Sequence, residues 1–136
     1  MKLILYVCML CILLMGCKEA NNSTQQTTEN TVQQAWDEMM VIHDEVMPKM
    51  SEINRLKKQL VAQGDTTIVY ENLQKAEDGM WDWMHNLVSL EEVKKMEEAA
   101  AMQHLRAEIA EITEVREEMQ ESIEAGEQLL TKNDTK

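Results

Sequence analysis

The residues best equipped for chemistry lie in two stretches, His43-Asp44-Glu45-Val46-Met47-Pro48-Lys49-Met50 and Met80-Trp81-Asp82-Trp83-Met84-His85. Thioether sulfur and imidazole nitrogen are ligands for soft ions, Cu(I) above all. At about 100° per residue, Met39, His43, Met47 and Met50 share a narrow arc of one helix. A turn near residue 65 would make the two stretches antiparallel, so that facing residue numbers add to about 130. Met50 then falls opposite Met80, Met47 opposite Trp83, and His43 near Leu87 and Met84. A second turn at Ser89 would bring Met96 to the same level. The candidate soft-metal set is therefore His43, Met47, Met50, Met80 and Met84. The competing reading is packing: Met fills irregular cores, and a His on an apolar stripe is commonly a core residue bonded to a nearby Asp or Glu. His85 falls on a different face from Met80, and His104 has no evident partner.

The other reactive group is Cys17. One basic residue, Lys2, precedes an apolar run from Leu3 to Met15. That run is too short to span a bilayer core, which needs about 20 helical residues, but it has the length of a signal-peptide core. It ends in Leu14-Met15-Gly16-Cys17, which resembles the bacterial lipobox. A small Gly16 opens the bond to the peptidase, and the Cys17 thiol becomes a thioether to diacylglycerol. Residues 1–16 are thus expected to be a lipoprotein signal peptide and Cys17 the lipid attachment point. Lys18-Glu19 differs from the Asp that retains lipoproteins in the inner membrane. This favours lipid anchoring in the outer membrane, with the periplasmic and surface faces both open.

Processing removes Cys8 and Cys11 and acylates Cys17, leaving a domain without thiols, disulfides or a Cys-based metal site. Losing Lys2, one of 13 Lys and Arg against 25 Asp and Glu, takes the net charge from −12 to −13. Such a balance argues against nucleic acid, whose binding depends on neutralising phosphates, and against lying on anionic lipid. Enzyme signatures are missing: Asp82-x-x-His85 is the sole relative of a di-iron Glu-x-x-His pair. No His-Glu-x-x-His, phosphate loop or nucleophile elbow occurs. No catalytic residue is expected.

The elements that must hold these side chains are helices. Residues 17–30, after the lipidated Cys, are Asn/Ser/Thr/Gln-rich and read as a flexible tether of roughly 20 Å. From Val32, a stripe runs through Trp36, Met39, His43, Val46, Met50, Ile53, Lys57 and Leu60 in alternating steps of four and three, which is a heptad seam. Pro48 interrupts it, so a kink or short break is expected near Val46–Met47, with one kinked helix favoured over two. Gln63-Gly64-Asp65-Thr66 is a turn, in which Asp65, Thr66 or Thr67 can cap the next helix. The second seam is Val69, Leu73, Ala76, Met80, Trp83, Leu87 and Leu90. Ser89 with Glu92 forms a capping box that starts a third helix, unless the second runs on unbroken. That third helix carries Val93, Met96, Ala99, Met102, Leu105, Ile109, Ile112, Arg116, Met119, Ile123 and Leu130. At about 40 residues, roughly 60 Å, it outreaches the second helix. Its overhang is left to pack on the first helix or on another copy. The expectation is an all-α, antiparallel three-helix bundle over residues 31–131, a coiled-coil hairpin with a long C-terminal helix, and a frayed tail at 132–136.

The lipobox, the polar tether and the two Met/His segments together resemble a group of small Bacteroidota lipoproteins, often automatically named after a coiled-coil "viral A-type inclusion protein". The likeness covers roughly residues 33–90; the third helix resembles only generic coiled coil. It implies lipoprotein export and a helical fold, and no known activity or functional residue. The leading expectation is a non-enzymatic helical interaction or envelope-stress module, partnered through a membrane anchor and a protein or second copy. The alternative is a Cu(I) or other soft-metal binder.

Overall fold

The computed structural model describes residues 20–64 and 68–134. Two compact units divide the chain, residues 1–31 and residues 32–136; the second holds the hydrophobic core. The elements are α1 (Ala20–Ala62), α2 (Ile68–Asn86), the single turn α3 (Leu90–Val93) and α4 (Glu98–Asp134), with no strand among the described residues. The all-α expectation is met. The signal-peptide segment and Cys17 lie outside the described residues, as do Asp65, Thr66 and Thr67. No described helix is long and apolar enough to cross a membrane.

The first seam buries as its spacing requires. Met39, Val46, Ile53 and Leu60 are fully buried, and Val32, Met50 and Lys57 nearly so. Leu56 and Ala35 widen the stripe beyond a strict heptad seam, as a helix facing two neighbours demands. Helix α1 runs through Pro48 without a break. An internal Pro removes one hydrogen bond and costs about 3 kcal/mol. Contacts on both sides of Pro48 hold the seam in phase and offset that cost. The helix ends at Gly64, whose φ of 74° is the left-handed conformation that glycine adopts without a Cβ clash.

Two expectations for the ends of the bundle are corrected. The backbone of residues 20–30, read from composition as a coil, is helical, because α1 starts at Ala20. Adding residues to an existing helix costs far less than nucleating one, even where nothing apolar is buried. At the other end α4 continues to Asp134, and Asn133 Nδ2 donates to Gln63 Oε1 at 3.0 Å, so the tail expected to fray from residue 132 is helical as far as Asp134; residues 135 and 136 lie outside the described residues.

The second seam also holds: Leu73, Ala76, Met80 and Trp83 are buried. Ser89 is an N-cap, its hydroxyl accepting from the Glu92 N–H at 3.4 Å. It caps one turn only. The chain then turns again, and Glu97 Oε2 accepts from the N–H groups of Ala99 and Ala100 at 3.1 and 3.3 Å, which starts α4. Beyond this second start the expected stripe holds, with Met102, Ile109 and Leu130 packed against the core. Ala101, Leu105, Ile112, Val115, Met119, Ser122 and Ile123 turn inward, whereas Ala99 is exposed and Met96 is 37% exposed. Met96 therefore does not join the Met/His layer.

Side-chain contacts give the topology. Across α1 and α4, Arg116 pairs with Glu45, Lys49 with Gln120, Arg55 with Glu127 and Asn133 with Gln63. The offset stays between 70 and 72 residues, so these helices run parallel in one register. Helix α2 is antiparallel to both: Lys75 pairs with Glu118, and Gly126 lies against Leu73 and Leu56. The α4 overhang packs on α1. By the same offset, Ala101 falls near Val32 and Leu105 near Ala35, and all four are buried in one core cluster.

Candidate functional site

The α1–α2 seam carries the candidate residues, and its register is measurable. Lys57 Nζ donates to Gln74 Oε1 at 2.5 Å, Asn54 Nδ2 donates to Glu77 Oε1 at 2.6 Å, and Lys57 bonds Glu77 Oε2. The Lys57 ammonium also sits 5.9 Å from the centre of the Tyr70 ring. Further along, the His43 and Trp83 rings lie 5.9 Å apart, tilted by 34°. Residue numbers in these pairs add to between 126 and 134, bracketing the expected 130. The hairpin is thus paired as its turn implied, on both sides of Pro48.

The lower level is a polar layer set into an apolar seam. The Lys57 and Glu77 side chains are 10% and 11% exposed, so both charges have left water and depend on each other. Asn54, Gln74 and Tyr70 supply the remaining contacts. Glu77 was not among the expected core residues. The signal for it was present: a Lys on a buried stripe requires an acid on the facing helix, and Glu77, one turn beyond residue 73, is the acid on that face.

One heptad toward the His43 end, the same positions hold sulfur. Glu77 meets Asn54 and Lys57. Moving seven residues along each antiparallel helix replaces them by Met84, Met47 and Met50. Met84 thus faces the α1 turn that contains Met47. His43 lies one turn beyond Met47, about 6 Å along the axis. Its Nδ1 is 2.9 Å from Asp44 Oδ1. A carboxylate only accepts, so Nδ1 carries the proton and, in the neutral ring, Nε2 carries the lone pair. Trp83 is 1% exposed and its indole N–H has no hydrogen-bond partner.

The structure divides the five candidates. His43, Met47 and Met84 are half-buried at the seam's edge, with Met47 and Met84 packed against the core cluster. Met80 is fully buried and Met50 is 7% exposed. Met80 belongs to the inner stripe with Leu73, one heptad away, and Met50 stands about 10.5 Å along α1 from His43. Depth thus separates the five into an edge group of three and an inner pair. His85 donates from Nδ1 to the Trp81 carbonyl at 2.7 Å and stands outside the group, as its helical face implied. His104 Nε2 has Glu108 Oε1 at 3.7 Å and no hydrogen bond.

Among the described residues no group of three or more His, Cys, Asp or Glu is arranged to hold a metal ion. The grooves are surface features. One, between α2 and α4, is lined by Asn72, Lys75, Glu118, Glu121, Ser122 and Ala125. Its Lys75 ammonium donates to Glu118 Oε1 at 2.9 Å, so the charged pair is satisfied internally. The fold and seam define an all-α bundle with a sulfur-rich edge. Comparison with known protein families, curated proteins and solved structures finds no match for this chain.

Proposed function

We propose that the chain is an outer-membrane-anchored lipoprotein, attached through Cys17, whose helical bundle is a non-enzymatic interaction module of the cell envelope. The lipobox-like Leu14-Met15-Gly16-Cys17 supports the anchor, and the resemblance to small Bacteroidota lipoproteins agrees with it. The observation that carries the interaction reading is Trp81. Its indole is 49% exposed on the face of α2 opposite Trp83, with the His85 ring 6.0 Å away. Tryptophan is enriched where proteins meet, because it buries much area at little entropic cost. The bundle spends Trp83 on its own core and leaves Trp81 unused.

The anchor is tested by metabolic labelling with radioactive palmitate, which should label the wild-type chain and not Cys17→Ser. The module is tested by sedimentation and crosslinking of the envelope-borne protein. Association that Trp81→Ala weakens supports the reading. A strict monomer that crosslinks to nothing counts against it.

A further inference from the structure

We propose that His43, Met47 and Met84 form a Cu(I)-binding site at the edge of the α1–α2 seam, with the imidazole Nε2 and two thioether sulfurs as ligands. This goes beyond the interaction reading and uses different residues. Three observations converge on it. First, the donor set is soft and includes no carboxylate or thiolate, which selects Cu(I) over hard or strongly thiophilic ions. Second, His43 is prepared as a metal-binding imidazole is: its Nδ1–H is directed at the Asp44 carboxylate at 2.9 Å, which fixes the tautomer and leaves Nε2 free to coordinate. Third, the register brings the three residues within one turn of one another. Met47 and Met84 are related as Asn54 and Glu77 are one heptad away, and His43 and Met84 as Lys57 and Tyr70 are two heptads away.

The surroundings fit a monovalent cation. The Trp83 ring lies beside the imidazole, centroids 5.9 Å apart, and an indole face attracts a cation. The three ligands are half-buried, so an ion reaches them from solvent without unfolding the core. A thiol-free site also suits an envelope compartment, where exposed thiols are lost to disulfides.

The experiment uses residues 18–136, which carry the whole described bundle and no cysteine. Cu(I) is added anaerobically against a chromophoric Cu(I) chelator. One equivalent is expected to bind. Substituting a metal's second-sphere partner alone costs about 10- to 100-fold in affinity. His43→Ala, Met47→Leu and Met84→Leu should therefore each weaken binding at least about 10-fold, while Met80→Leu leaves it within about 2-fold. Met→Leu conserves core volume, and unfolding curves of each variant check the fold. Independently, Cu(I) should shift the labelled methyl resonances of Met47 and Met84 in the wild-type chain and spare that of Met80. Absence of binding at micromolar Cu(I), binding unchanged in His43→Ala with Met47→Leu, or an equal loss in Met80→Leu would each overturn the site.

Discussion

Replacing Glu77 by Gln should destabilise the bundle severely, although it changes one atom. The Lys57 and Glu77 side chains are 10% and 11% exposed, so little solvent is present to screen or replace the lost charge. Breaking a buried ion pair on one side costs about 3–5 kcal/mol, because the remaining charge stays desolvated. Lys57 keeps its bond to Gln74 and its position near the Tyr70 ring, and Asn54 keeps the Met50 carbonyl at 3.2 Å. These place the cost near the lower end, about 3 kcal/mol. For a domain of this size that lowers the melting temperature by roughly 10–15 °C. The double variant Lys57→Met with Glu77→Leu removes both charges and fills the layer with apolar volume, so it should be as stable as wild type or more so. Urea unfolding followed by circular dichroism measures all three chains. A single-variant loss under about 1 kcal/mol, or a double variant as unstable as the single, would refute the claim that this pair is an interdependent buried unit.

The two helical glycines should respond differently to Ala. At Gly79 an added Cβ meets Val115 Cγ2 at an ordinary 3.9 Å, so Gly79→Ala should gain up to about 1 kcal/mol of helix propensity. At Gly126 the same atom meets Leu56 and Leu73 methyls at 3.3 Å, so Gly126→Ala should gain less or lose stability; equal gains in urea unfolding would contradict the close packing there. Ser89→Ala should cost about 0.5–1 kcal/mol, the lower part of the range for a lost N-cap, since its hydrogen bond is long at 3.4 Å; an unchanged unfolding midpoint would mean that α3 is held by Val93 alone. The hydrogen bond to Glu118, with its charge, raises the Lys75 pKa above the ordinary 10.5. The protonated form is the one favoured by folding, so this stabilisation is present below the unfolded pKa and is lost as pH rises through the folded one. Lys75→Met should remove that alkaline dependence while leaving the neutral-to-acid profile little changed.

Much of the bundle was legible because helical burial is a local property of the sequence. The four-three stripe from Val32 to Leu60 buries nearly residue for residue, and the hairpin register followed from one glycine turn. The stripe of α4 was legible too from Met102 onward: Leu105, Ile112, Met119 and Ile123 are buried, and Met102, Ile109 and Leu130 pack against the core. Its start was not. The additional turn at residues 94–97 separates Met96 and Ala99 from that stripe and leaves both exposed, because a turn of a few residues changes the angular phase across it. The passage of α1 through Pro48 as one helix and not two followed from the seam, which keeps its phase across the proline.

For the candidate site, the sequence by itself determined which residues share a helical arc: His43, Met47 and Met50 on one helix, Met80 and Met84 on the next. Spacing within a helix settles that, because each residue turns the chain by a constant angle. Only the tertiary structure decided which of them meet. Pairing between helices depends on stagger and on depth from the surface, and a heptad pattern leaves both free. The measured contacts of Glu77 with Lys57 and of Trp83 with His43 supply the stagger. Burial then separates Met80, an inner core residue, from the half-buried edge that carries His43, Met47 and Met84.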